Sequence, residues 1–65
     1  MNLIKALQSV KAGRKITREA WNNDMIYVAI QADLLMIKME DNIFHPWTVG
    51  VNDIFADDWQ IIESN

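Results

Sequence analysis

The sequence contains no cysteine, which excludes a disulfide scaffold, a cysteine-ligated zinc ribbon and a thiol nucleophile. It has one histidine, His45, and only two glycines, Gly13 and Gly50. Two isolated glycines do not make a glycine-rich phosphate loop. His45 stands directly before Pro46, an address that suits a strand-end residue with a satisfied ring better than a general base. Asp57 and Asp58 are adjacent and point different ways, so they make a poor acid/base pair and a good solvated turn. With no nucleophile and base, carboxylate pair or metal set in evidence, the expectation is a protein that is not an enzyme and carries no metal or cofactor. Long apolar runs are missing too: Lys38 and Glu40 interrupt the most hydrophobic stretch, well short of the roughly 20 apolar residues of a membrane span. The first helical stretch contains Lys5 and Lys11 and lacks the apolar core and small-residue cleavage site of a signal peptide, so a cytoplasmic location is expected.

What the chain does have is apolar side chains. Of its 65 residues 51% are hydrophobic, including three Trp and four Met. A chain this short buries only about 60% of the surface its unfolded form exposes. Without staples, its excess apolar surface predicts self-association. Charge is polarised: Lys5, Lys11, Arg14, Lys15 and Arg18 precede every acid, giving +5 for residues 1–18 and −8 for the remainder. Three consequences are open, namely steering of an anionic ligand, contact between opposite ends of neighbouring subunits, and a merely solvated helix face. Duplex or long single-stranded nucleic acid is not an expected partner, because one base, Lys38, follows Arg18 and no basic groove emerges.

The order of elements points to an α+β fold, an N-terminal helix packed on a small antiparallel β-sheet, forming one domain over residues 1–65. Asn2 is a good N-cap, Leu3, Ile4, Leu7 and Val10 recur at helical spacing, and Gly13 sits where a left-handed terminating residue is wanted. A short extended segment over Lys15–Thr17 is followed by a turn over Arg18–Trp21 and a tight loop at Asn22, Asn23 and Asp24. Strands are predicted over Met25–Gln31 and Leu34–Glu40, with Ala32-Asp33 as the turn between them. The near-continuous apolar character of the second predicts that both its faces are covered. A third strand over Ile43–His45 is ended or pushed to an edge by Pro46, so the pattern is a meander. Thr48–Val51 reads as extended, Asn52 as the cap of a single helical turn through Ala56, and Trp59–Glu63 as a last strand, with Ser64 and Asn65 as tail.

Two of the three tryptophans stand at unusual addresses. Trp21 precedes two asparagines in a loop and Trp47 follows a proline, whereas Trp59 heads a strand and is assigned to the core. Flat rings beside loop amides suit stacking on a nucleobase, worth about 1–3 kcal/mol per base. In a domain this small, tryptophan is also the natural core filler.

In order, the chain carries Arg18-Glu19-Ala20-Trp21-Asn22, then Pro46-Trp47, then Asp53-Ile54-Phe55-Ala56-Asp57-Asp58-Trp59. This succession of Arg-x-x-Trp-Asn, Pro-Trp and Asp-x-x-Ala-acidic-Asp-Trp resembles the small phage proteins of the second Thoeris anti-defence family and the related anti-CBASS nucleotide sponges, over nearly the whole chain. The resemblance implies a helix on an antiparallel sheet, a homotetramer (or dimer), and pockets between subunits. Those pockets would bind and sequester cyclic nucleotide immune signals without cleaving them, either cyclic dinucleotides such as cGAMP or glycocyclic ADP-ribose. Carried over by position, it implies that the Trp21 ring and the Asn22 amide hold the ligand, with Trp47 as a second aromatic. Arg18 has two roles open to it, a fork to a phosphate or a salt bridge to one of the late aspartates. Asp53, Ala56, Asp58 and Trp59 match as structural residues. Asn23, Tyr27 and Thr48 join the expected site by adjacency alone. Departures lie in the stretch between Asn22 and Pro46, shorter than in those proteins, in Gly50 and Val51, and in Asn23-Asp24 where a glycine-containing loop is usual. The alternative function is a small protein–protein interaction module or inhibitor of a host or phage protein.

Overall fold

The computed structural model describes residues 1–63; the predicted tail at Ser64 and Asn65 lies outside them. Chain entry is fixed by the Asn2 side chain, whose Oδ1 accepts from the Lys5 N–H at 2.9 Å, satisfying one of the orphan donors of the first turn. Helix α1 runs over Leu3–Lys11 and buries Leu3, Ala6 and Val10. Gly13 then adopts φ 95°, a conformation that costs a glycine little and an L side chain more, and the chain turns into the sheet.

The sheet is β1 Lys15–Arg18, β2 Tyr27–Gln31, β3 Leu34–Lys38, β4 Phe44–Pro46 and β5 Trp59–Ile62, in the order β4-β3-β2-β1-β5. All its pairings are antiparallel. The first four strands form the expected meander. The last departs from it, because the chain leaves β4 at one edge, crosses through the one-turn helix α2 (Val51–Ile54), and adds β5 beside β1 at the other edge. Ala32 and Asp33 both take positive φ in the two-residue β2–β3 turn, the geometry that matches the twist of a hairpin.

Register sorts the side chains. Ile16 lies opposite Val28 and Ile61, and Val28 opposite Ile37, so these four share the face under the helix and join the core with Leu3, Ala6, Val10 and Trp59. Tyr27, Lys38 and Phe44 form a row on the opposite, outer face. Among the described residues Thr17 is the one buried polar residue, and its hydroxyl donates to the Ile26 carbonyl at 2.7 Å.

Several expectations need correction. β2 starts at Tyr27 rather than Met25, because Asn23 Oδ1 accepts from the Met25 N–H and the Asn23 carbonyl from the Ile26 N–H, which keeps both residues in a turn. β3 ends at Lys38, since the Met39 carbonyl already takes the Asn42 N–H. β4 is shifted by one residue and contains Pro46, tolerated because β4 is an edge strand. β3 is not covered on both faces in the single chain: Leu34 is 60% exposed. Gly50, not Asn52, caps α2, its carbonyl accepting from the Asp53 and Ile54 N–H groups, so Val51 is helical rather than extended. β5 stops at Ile62.

Candidate functional site

A single helix is about 10 Å wide, whereas five strands spaced about 4.8 Å apart span roughly 19 Å between the outermost two. One helix cannot roof such a sheet. Helix α1 packs over β1, β2 and β5, which leaves the helix-side surface of β3 and β4 to be covered by loops. The loop residues that do so are the tryptophans. Trp59, 1% exposed, forms the floor. The Trp21 ring meets it edge-on at 5.4 Å between centroids and 82° between planes, and the Trp47 ring at 5.8 Å and 77°. Such perpendicular packing sets the positive edge of one indole against the negative face of another.

Between these loops lies an open cleft of about 500 Å³ lined by Trp21, Ile26, Ile37, Met39, Pro46, Trp47, Thr48 and Asp53. Its walls are mostly apolar and aromatic, with a hydroxyl and a carboxylate at the rim, the composition of a small-molecule site.

The carboxylate is held in place by Arg18. The guanidinium donates from Nη1 to Asp53 Oδ1 at 2.9 Å, from Nε to Asp58 Oδ1 at 2.8 Å, and from Nη2 to Asp58 Oδ2 at 3.5 Å. The Ala20 N–H donates to Asp58 Oδ2 at 3.0 Å. Of the two roles open to Arg18, the structure shows the ion pair, which takes three of its five N–H donors. The Arg18 bond, with help from the Ala20 N–H, holds the Asp58 carboxyl below the usual carboxylate range despite the opposing effect of burial. The same bond to Asp58 raises the Arg18 guanidinium further above its ordinary value. Physically, the triad fastens α2 and the start of β5 to the turn that carries Trp21.

The expected site residues divide. Trp21, Trp47 and Thr48 meet at the aromatic cleft. Asn22 and Asn23 do not; with Arg18, Glu19, Asp24 and Gln60 they line a smaller polar cleft of about 190 Å³. Asn22 has φ 49°, the left-handed conformation that ends the 3₁₀ turn Glu19–Trp21 and that asparagine tolerates better than most residues. Asn23 is engaged by Glu40 Oε1 at 3.1 Å as well as by Met25. Tyr27 lies on the outer face, edge-on to Phe44 at 5.9 Å, with Lys15 Nζ 4.8 Å and Lys38 Nζ 5.3 Å from its ring centroid. The adjacency that placed Tyr27 beside the loop asparagines ignored the two-residue alternation of a strand.

Sequence reasoning missed Ile26, Ile37, Met39, Pro46 and Asp53 as cleft residues. For Ile37 the odd-numbered face of β3 was the available signal, but the face that meets the cleft follows from pairing register alone. His45 is satisfied as expected, its Nε2 lying 3.1 Å from Asp41 Oδ2. The Asp41 carboxyl is itself held low, first by the Ile43 N–H and then by His45. Among the described residues no helix is long and apolar enough to cross a membrane.

Compared with known proteins, the chain matches the Thoeris anti-defense 2-like domain across residues 1–62. No curated protein matches it. A domain that covers 62 of 65 residues leaves almost nothing of the chain outside it. The chain therefore belongs to the Thoeris anti-defense 2-like family and is, by that membership, a Thoeris anti-defence protein.

Proposed function

We propose that this protein binds and sequesters a cyclic nucleotide immune signal, a cyclic dinucleotide such as cGAMP or glycocyclic ADP-ribose, in the cytoplasm of an infected host and without cleaving it. The observation that carries this function is the cleft itself: two indoles propped on a third, over about 500 Å³ of apolar space, with Thr48 and Asp53 at the rim. Exposed ring faces stack on bases, and one hydroxyl and one carboxylate suffice to orient a base or sugar edge. Holding rather than turnover fits the commitments of the ionisable groups nearby, since Asp53 and Asp58 are paired with Arg18 and His45 with Asp41.

A sponge must outcompete the signal's receptor, so a dissociation constant near 1 nM, about −12 kcal/mol, is required. An open cleft on a small monomer buries too little of a dinucleotide for that. Assembly as a homotetramer or dimer belongs to the same proposal, and the outer sheet face supports it. There Tyr27, Met36 and Phe44 stand half-buried on the side of the sheet away from the helix, with the Lys15 and Lys38 ammonium groups over the Tyr27 ring. Calorimetric titration with cGAMP and with glycocyclic ADP-ribose, followed by chromatographic recovery of the ligand, tests the function. Tight binding with the ligand returned intact is expected; two flat titrations would end the proposal.

A second function, a protein–protein interaction module or inhibitor of a host or phage protein, is favoured by α2 alone. Its Val51, Ile54 and the following Phe55 are 69%, 47% and 81% exposed, an apolar knob on the surface. That function predicts a stable complex lost on Phe55→Glu and no protection by any nucleotide against thermal unfolding.

A further inference from the structure

We infer that the aromatic cleft selects guanine over adenine, through the carboxylate of Asp53. This rests on the nucleotide-binding function proposed above, taken with a cyclic dinucleotide as the ligand, and adds which base the site reads. The charge at the cleft is the starting point. Among the described residues its one ionisable lining side chain is Asp53, and the Arg18 guanidinium bonded to it gives three of its five N–H donors to Asp53 and Asp58. A phosphate therefore meets a carboxylate here, and the one cation bonded to it is shared between two carboxylates, so the group that enters is the base, with the phosphates turned outward.

A carboxylate only accepts hydrogen bonds. In Asp53, which lines the cleft, the Oδ1 atom takes Arg18 Nη1 at 2.9 Å, and Oδ2 has no hydrogen-bond partner among the described residues, so it and the second lone pair of Oδ1 can still accept. Guanine offers two adjacent donors on one edge, the N1–H and the 2-amino group, matched to the two oxygens of a carboxylate. Adenine and cytosine each place one amino group beside a ring nitrogen whose lone pair would confront the carboxylate. The carbonyl at guanine C6 lies next to N1–H and suits the Thr48 hydroxyl, which lines the same cleft and can donate. Position is fixed from behind: the Asp53 carbonyl accepts from the Trp59 indole at 3.1 Å, so backbone and side chain of this residue are both anchored before a ligand arrives.

The test uses one backbone and three bases: calorimetric titration of the wild-type protein with cyclic di-GMP, cyclic di-IMP and cyclic di-AMP. Hypoxanthine keeps N1–H and the carbonyl but lacks the 2-amino group. The dissociation constant is expected to rise about tenfold from the guanine to the hypoxanthine ligand and at least about tenfold again to the adenine ligand, as charged hydrogen bonds are lost. In Asp53→Asn, where Asp58 still holds Arg18, the guanine and adenine ligands are expected to bind within about threefold of each other. If cyclic di-AMP binds the wild type as tightly as cyclic di-GMP, guanine selection is overturned while the nucleotide-binding function stands. If none of the three ligands binds and glycocyclic ADP-ribose is silent too, the binding function is overturned and the base preference with it.

Discussion

The indole Nε1 of Trp59 donates to the backbone carbonyl of Asp53 at 3.1 Å, so the most buried aromatic of the core also fixes the residue that puts a carboxylate into the cleft. A core filler and a site support are the same side chain. Trp59→Phe keeps an aromatic floor and removes the donor, leaving a part-buried carbonyl unpaired. It is expected to lower stability by about 1–3 kcal/mol in urea titrations. It is also expected to weaken the proposed nucleotide binding, because α2 loses one of its two side-chain anchors; unchanged affinity in a destabilised protein would show that Arg18 positions Asp53 alone.

Trp47→Ala removes a wall of the cleft. Loss of one stacking face is expected to cost about 1–3 kcal/mol of ligand affinity, a factor of about 5 to 150 in dissociation constant. Asn22→Gly is its contrast. Glycine accepts the φ 49° that Asn22 adopts, and Asn22 lines the polar cleft rather than the aromatic one, so affinity is expected to stay within about twofold. If Asn22→Gly abolishes binding while Trp47→Ala does not, the ligand sits in the polar cleft.

Acid should release the clamp at Arg18. The Asp58 carboxyl is held below its ordinary value of 3.8, chiefly by the Arg18 hydrogen bond. A carboxylate with a depressed folded value contributes stability that is fully present above its unfolded value and is lost as pH falls through the folded one. The contribution of Asp58 is therefore expected to be fully present and constant over pH 5–7, and stability to fall below about pH 4. Asp58→Asn is expected to be less stable near neutral pH and to show a shallower acid decline, measured as thermal midpoint from pH 7 to pH 2.5. An equally steep decline in the variant would assign acid sensitivity to other groups, Asp41 first, whose carboxyl is also held low.

Gly13 offers a cleaner stability test. A Cβ at this position would touch nothing within 4 Å, so Gly13→Ala reports the φ 95° conformation with no steric clash. A loss of about 1 kcal/mol is expected, visible as a lower denaturation midpoint at unchanged m-value. A neutral result would mean that the α1–β1 turn relaxes to an ordinary φ.

Assembly is testable at the outer face. Phe44→Glu places a charge in the row formed with Tyr27 and Lys38, away from both the helix-side core and the aromatic cleft. Sedimentation velocity is expected to show the wild type as a dimer or tetramer and Phe44→Glu as a monomer. An unchanged oligomer would move the contact to the α2 knob.

Local signals in the chain located most of its elements. The Asn2 cap, the apolar spacing of α1, Gly13, the Ala32-Asp33 turn and the strand-formers of β2 and β3 act over a few residues, and each ended up where its own chemistry puts it. The assignment of Trp59 to the core was legible for the same reason, and the motif order from Arg18 to Trp59 was enough to point to the family. Boundaries were less legible, since an Asx turn at Asn23 and a glycine cap at α2 each displaced an element end by one or two residues.

The make-up of the candidate clefts was decided elsewhere. Arg18 pairs with Asp53 and Asp58 across 35 and 40 residues, and no local pattern says which of nine acids a guanidinium will find. Trp21 and Asn22 are neighbours in sequence yet open onto different clefts. Tyr27 follows the loop closely yet points to the opposite face of the sheet. Sequence determines which backbone conformations are cheap, one residue at a time; which side chains share a cavity depends on strand register and on how far one helix can reach across five strands, and both are properties of the packed chain.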